Sequence, residues 1–207
     1  MRIVLTLMVA VLALGVLAGL GWWAFIRSVE TPDFHLERAD GRFELRRYSG
    51  WVAAEVKREG GRAEAVRAGF GPLARYIFAR ERDGERIAMT APVLQERGAE
   101  PSSWTVRFVM PSKYARDTLP APADEQVRLT EAPGRWMAAV RFSGWADDAD
   151  FARAEEALRS WLTEQGLEAV GSAILAYYDD PWVPGPLRHN EVLIPVETGY
   201  FALRGAQ

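Results

Sequence analysis

The 207-residue chain contains no cysteine and only two histidines, His35 and His189. The first absence excludes structural disulfides, a thiolate nucleophile and cysteine-ligated zinc or iron–sulfur clusters. The second leaves any zinc site dependent on carboxylates that nothing in the sequence brings together. No Gly-x-Ser-x-Gly elbow, phosphate-cradling glycine loop or His-Glu-x-x-His pair occurs, so the common signatures of acyl transfer, nucleotide binding and metalloprotease chemistry are missing. No enzymatic activity is therefore expected. Charge of one sign is also lacking. Arg2 and Arg27 are the only charged residues among the first 27, so of 25 basic and 28 acidic residues the remainder keeps 23 and 28, net −5. That balance disfavours nucleic acid as a partner, at least through a basic patch.

What is present, first, is a long apolar run. Ile3 to Ile26 holds no charge and only Thr6 as a conventional polar side chain; a helix of that length spans roughly 36 Å, enough to cross a bilayer. Val16-Leu17-Ala18 offers the small residues of a cleaved signal peptide. The apolar run nevertheless continues past Ala18, and Trp22-Trp23 stands before Arg27 like an interfacial aromatic anchor. Residues 1–27 are thus expected to be one N-terminal transmembrane helix that tethers the chain to a membrane, with a signal peptide as the alternative. Arginines beyond the span favour a cytoplasmic domain, whereas a signal-like segment at the N-terminus favours export. The expectation is an extracytoplasmic, periplasmic domain, with the cytoplasmic orientation as its rival.

Beyond residue 27 the apolar fraction falls to about 44%, an ordinary globular composition. Residues 28–42 read as a polar linker with turn signals at Thr31-Pro32 and Ala39-Asp40-Gly41, and 198–207 as a C-terminal tail. Phe43 to Tyr48 and Trp51 to Val56 predict two short strands. Val66, Phe70, Leu73 and Ile77 mark one face of a helix from about Arg62 to Ala79, weakened by Gly69, Gly71 and Pro72. Ile87 to Leu94 and Trp104 to Met110 predict further strands. The order then repeats: a strand at Trp136 to Phe142, a helix capped at Asp147-Asp148 with Phe151, Ala154, Leu158, Trp161 and Leu162 on its apolar face and Gly166 at its end, and a strand at Val192 to Pro195.

An offset of 85 maps Trp51 onto Trp136, Ala53-Ala54 onto Ala138-Ala139, Leu73 onto Leu158, Tyr76 onto Trp161, Ile77 onto Leu162 and Val109 onto Ile194. A gapless internal repeat across three elements implies two βαββ-like halves, about 43–111 and 135–197. One helix on a small sheet buries little, so the halves are expected to merge into a single α+β fold: an antiparallel sheet or barrel with two helices. Trp51, Trp104, Trp136 and Trp161 fall on its core-facing positions.

Several segments resist a pure packing explanation. The strings Met89-Thr90-Ala91-Pro92-Val93 and Met110-Pro111-Ser112-Lys113-Tyr114 are specific. Taken in order with Phe43 to Tyr48, Gly69-Phe70-Gly71-Pro72-Leu73, Val140 to Gly144 and Arg188 to Pro195, they resemble the SOUL/HBP haem-binding family across residues 33–197. The resemblance implies a pseudo-symmetric α+β barrel and a groove beside the first helix that binds haem or another tetrapyrrole. A porphyrin requires a flat apolar slot with cations at its rim. Phe70, Ala74, Phe78, Met89 and Trp182 would supply apolar contacts, and Arg46, Arg47, Lys113 and Arg188 are propionate candidates. Some family members carry a histidine where this chain has Arg47, so no axial ligand carries over; His189 is a weak candidate for the metal. The function expected is a membrane-tethered haem carrier, scavenger or buffer. A small-molecule effector-sensing or scaffolding domain that never meets haem is the alternative.

Overall fold

The computed structural model describes residues 29–100 and 102–197, together with Gly15. The expected anchor, apart from Gly15, and the tail lie outside the described residues. Among those that are described, no helix is long and apolar enough to cross a membrane. The elements are β1 (Phe34–Asp40), β2 (Phe43–Glu59), α1 (Arg62–Ile77), β3 (Val93–Arg97), β4 (Ser103–Val109), β5 (Arg128–Phe142), α2 (Asp148–Glu164), β6 (Ile174–Tyr177) and β7 (Asn190–Pro195).

Every pairing is antiparallel. The sheet order is β1-β2-β4-β3-β6-β7-β5, and β5 pairs back onto β2. Six strands therefore close into a barrel, with β1 attached to β2 as an extra hairpin strand. Closure removes the open edges that an isolated half would expose.

The register of β2 on β5 carries the duplication. Phe43 faces Val140, Tyr48 faces Arg135 and Glu55 faces Arg128. In that unbroken register residue 49 lies opposite residue 134, its own equivalent 85 positions along the chain, so the local two-fold passes between Ser49 and Gly134. Backbones approach closely there. A Cβ on Gly134 would lie 2.9 Å from the Tyr48 carbonyl oxygen, and one on Gly50, whose φ is +101°, would lie 2.7 Å from that of Ala132. On the far side of the barrel the halves meet again where β3 pairs with β6.

Each helix covers its own half and borrows from the other. α1 buries Leu73, Tyr76 and Ile77 against Ala54, Val56, Val106 and Phe108, with Leu129 of β5 packed alongside. α2 buries Phe151, Ala154, Leu158, Trp161 and Leu162 against Ala138, Val140, Val192 and Ile194, with Phe43 and Leu45 of β2 beside them. Tyr48, Leu94, Val109, Met137, Ala139, Ile174, Ala176 and Leu193 form the third cluster, drawn from all six barrel strands. Burial of this kind contributes on the order of 25 cal/mol per Å² of apolar surface.

Three sequence expectations need correction. The stretch read as a linker contains β1, whose seven residues are all exposed; with no buried face there is no alternation to reveal a strand. The two strands expected at 43–48 and 51–56 are one, because Gly50 bends the chain without interrupting its pairing to β5. Only Val93 onward of the expected 87–94 strand is one. Ile87 donates its backbone N–H to the Ile77 carbonyl and Thr90 its hydroxyl to the Val109 carbonyl, and Pro92 has no N–H to give a ladder.

Candidate functional site

Two of the segments singled out in the sequence, 69–73 and 110–114, meet in the core cluster under α1. Gly69 lets the helix settle onto the barrel: a Cβ there would stand 2.8 Å from Val106 Cγ2. Its neighbour Phe70 is consequently lifted along the surface, 42% exposed, with its ring edge-on to Phe108 at 5.1 Å between centroids. Ala74 and Phe78, four and eight residues on, are half-buried against the same core cluster. Phe108 faces Val93 in the β3–β4 ladder. Met89, 37% exposed, lies between the two hydrogen bonds that fasten the 87–92 segment to α1 and to β4. Lys113 follows β4, its Nζ 5.0 Å from the ring centre of Tyr114, which packs into the α1 cluster.

Arg82 completes the frame by donating to the backbone carbonyls of Tyr76, Asp83 and Glu85. Sequence reading missed Arg82 and the site role of Phe108. Arg82 sits in a charged turn without periodicity, while Phe108 stood in the sequence as a strand residue at the head of the 108–114 segment that resembles the family.

The other expected residues lie elsewhere. Arg46 is 5% exposed and points into a buried ion cluster, donating to both oxygens of Glu191 at 2.7 and 2.8 Å, to Glu44 at 2.6 Å and to the Tyr48 hydroxyl at 3.2 Å. Its charge is already neutralised. His189 belongs to that cluster, with Nε2 2.8 Å from Glu191 and its ring stacked on Tyr178 at 4.0 Å. Burial by itself would raise the Glu191 carboxyl, yet hydrogen bonds from Arg46 and His189 hold it down at about 2. Burial and the same carboxylate push the Tyr178 phenol well above its ordinary value.

Arg47 is exposed and lies over Trp136 at 5.8 Å. Arg188 donates to the Val183 and Pro181 carbonyls and covers Trp145, which places it with the loop before α2. Trp182 is 89% exposed in the same region. The structure therefore places Phe70, Ala74 and Phe78 against one core cluster, which Tyr114 beside Lys113 also joins, leaves Met89 exposed on the 87–92 segment, and engages Arg46, Arg47, Arg188 and His189 with other partners.

Chemically, the α1 face offers aromatic edges, a thioether and one ammonium, which suits the apolar face of a porphyrin and one propionate. It offers no imidazole. His189 is committed to Glu191, and His35 stands on β1, 3.9 Å from Glu37. Binding on this face would be apolar stacking rather than ligation by histidine.

The offset of 85 shows what is peculiar about this surface. It maps buried Leu73, Tyr76 and Ile77 onto buried Leu158, Trp161 and Leu162. On the outer side it maps Phe70, Ala74 and Phe78 onto Glu155, Arg159 and Thr163. Glu155 and Arg159 pair with each other at 2.7 Å, an ordinary solvated helix surface. Equivalent positions in the first half are apolar and pack at the margin of the core, Phe70 remaining 42% exposed.

Comparison with known proteins agrees. The family model described as "SOUL heme-binding protein" matches residues 29–195. "Heme-binding protein 1" of Mus musculus is 30% identical over 137 residues, covering 62% of this chain and 70% of that protein. Its counterpart from Bos taurus is 28% identical over 134 residues, covering 62% and 69%. Among solved structures, the EcmrR C-terminal domain superposes with a TM-score of 0.60 at 13% identity, over 75% of this chain and 96% of that one, a likeness of fold. The two βαββ halves, the closed barrel and a match spanning nearly all of the described residues lead to one conclusion: the chain belongs to the SOUL haem-binding protein family.

Proposed function

We propose that the protein binds haem or a related tetrapyrrole on the outer face of α1 and carries, scavenges or buffers it while tethered to a membrane by residues 1–27, its domain on the extracytoplasmic side. The observation that carries this reading is the exposed apolar face of Phe70, Ala74, Phe78 and Met89 at positions where the second half of the repeat is charged or polar. When bound, the haem supplies an iron with exchangeable axial positions. The chain would supply stacking from Phe70, a thioether from Met89 and a cation from Lys113 for a propionate. Binding by apolar contact without an imidazole suits a ligand that must be released again.

Titrating haem into the full chain in detergent tests the site. A Soret shift and tryptophan quenching at micromolar haem are expected, both strongly reduced by Phe70→Glu and unchanged by Glu155→Ala. Absence of either signal in the unaltered protein overturns the proposal. Carbonate extraction and a C-terminal reporter test tether and sidedness separately.

A second reading, a small-molecule sensing domain, is favoured by a separate cleft of about 300 Å³ lined by Arg62, Arg97, Trp104, Asp148, Phe151 and Leu175. Protein isolated colourless from haem-replete cells would support that alternative.

A further inference from the structure

Trp182, Leu187 and Trp145 are 89%, 74% and 66% exposed, and they stand on two loops that touch. Gly144, in the loop before α2, donates its N–H to the Gly185 carbonyl at 3.0 Å in the loop between β6 and β7. The Trp145 indole lies so close over Gly185 that a Cβ there would come within 2.7 Å of its ring. The Arg188 guanidinium sits 4.8 Å from the Trp145 ring centre and is tied to the Val183 carbonyl at 2.7 Å. Turns closed by Val183 N to Asp180 O and Leu187 N to Pro184 O, with prolines at 181, 184 and 186, hold the backbone. The side chains are thus presented outward by a fastened scaffold. Leaving this much aromatic and aliphatic surface in water is costly.

A relay of contacts leads from the base of this ridge to the start of β1. Phe34, the first residue of β1, lies under the Arg46 guanidinium at 4.5 Å. Arg46 grips Glu191, and Glu191 accepts from the Tyr178 hydroxyl and contacts His189. Tyr178 and His189 are joined across the base of the β6–β7 loop, Tyr178 N donating to the His189 carbonyl at 3.2 Å. Only seven residues separate Ile26, the end of the uncharged run, from Phe34, so the two are at most about 28 Å apart along the chain.

We propose that Trp182, Leu187 and Trp145 form a membrane-contact ridge that seats in the headgroup interface of the same bilayer that holds the tether. Indole suits this layer because its apolar body and N–H prefer the boundary between hydrocarbon and water. Of the charges beside it, Asp179 accepts from the His189 backbone N–H and Arg188 is spent on carbonyls, while the exposed Asp180 and Asp147 flank the ridge on its water side. A short tether keeps the ridge at high effective concentration near lipid, so individually weak insertion suffices. This inference rests on the tether reading.

The absence of native cysteine makes the test clean. Leu187→Cys and, as a control on the exposed side of α2, Glu156→Cys are introduced into the full chain, labelled with bimane and reconstituted into phosphatidylcholine vesicles. At 187 the emission is expected to shift to the blue, to lose iodide quenching and to be quenched by brominated lipid; at 156 none of these occurs. Adding Trp182→Ser weakens the response at 187. Equal iodide access at both sites in carbonate-resistant vesicles overturns the ridge and leaves the tether standing. Release of the chain by carbonate overturns both. A response at 187 produced without lipid, by haem or by raising protein concentration, assigns the surface to another occupant and overturns the inference.

Discussion

α2 begins with a reciprocal cap, Asp147 accepting from the Asp150 N–H at 2.7 Å and the Asp150 carboxylate accepting from the Asp147 N–H at 3.4 Å; α1 begins at Gly61 with no side-chain cap. α2 carries an i,i+4 ion pair on its surface; α1 carries Phe70. α2 contains neither glycine nor proline, whereas α1 contains Gly69, Gly71 and Pro72. The first helix is held by tertiary contacts instead. Arg62 reaches across to the Tyr177 hydroxyl at 2.6 Å, the Ala146 carbonyl at 2.9 Å and the Asp148 carboxylate, and Arg58 donates to the Ala68 carbonyl at 3.3 Å. The contrast teaches that one copy of the repeat spends its sequence on its own helix, while the other relies on its surroundings and leaves its outer face free for a ligand.

The interior holds a second contrast, and the largest predicted effect is there. Glu191, 1% exposed, neutralises Arg46 in a cluster drawn from both halves; in a cluster drawn from the first half alone Arg107 shares Glu55 and Glu96 at 2.7 and 2.6 Å with partial access to water. Glu191→Gln is expected to cost about 3–5 kcal/mol, because it strands a buried guanidinium, and Glu96→Gln much less; denaturant titration of both variants decides. The acid limb follows from the same group. Its folded value of about 2 lies below the ordinary 4.5, so its contribution is fully present above about pH 4.5 and is lost as pH falls toward 2. An acid transition unchanged in Glu191→Gln would refute that assignment.

Next in size are the shared core positions. Leu73→Ala and Leu158→Ala should each cost about 2–5 kcal/mol, and a large difference between them would show that the halves are not equivalent in packing. Gly69→Ala presses a methyl into Val106 and should cost about 1–3 kcal/mol. A neutral or stabilising result would mean that α1 can rise off the sheet.

Asp147→Ala should lower stability by about 1 kcal/mol through loss of the cap, with no counterpart at Gly61; thermal melts resolve it. The smallest stability change belongs to a transplant, Glu155→Phe with Arg159→Ala and Thr163→Phe, expected within about 1 kcal/mol of the parent. Haem titration of the transplant in a Phe70→Glu background asks whether an apolar helix face suffices for binding. Failure to regain any Soret shift would mean that Met89, Phe108 and Lys113 are indispensable.

Legibility in the sequence followed the period of burial. Leu73, Tyr76, Ile77 and their counterparts Leu158, Trp161 and Leu162 were readable because each helix has one dry side, and the offset of 85 exposed the duplication before any register was known. β1 was invisible because neither of its faces is buried. The expected strand began only at Trp136, whereas β5 begins at Arg128 and includes Pro133 and Gly134, the latter at the close crossing with β2. Of the expected site residues, Phe70, Ala74 and Phe78 share one side of α1, as their spacing of four implies. Arg46, Arg188 and His189 were plausible cations and ligand only so long as their partners were unknown.

The sequence by itself determined the α+β class, the two-fold repeat, the helical faces and the family, since these depend on local periodicity and on strings of residues read along the chain. Only the tertiary structure decided which charges are available. Arg46 and Glu191 are separated by 145 positions yet consume each other, while Phe70 is left exposed because Gly69 packs tightly beside it. Whether a polar or apolar group is satisfied depends on what closure of the barrel brings against it, and that pairing is not written in the order of the residues.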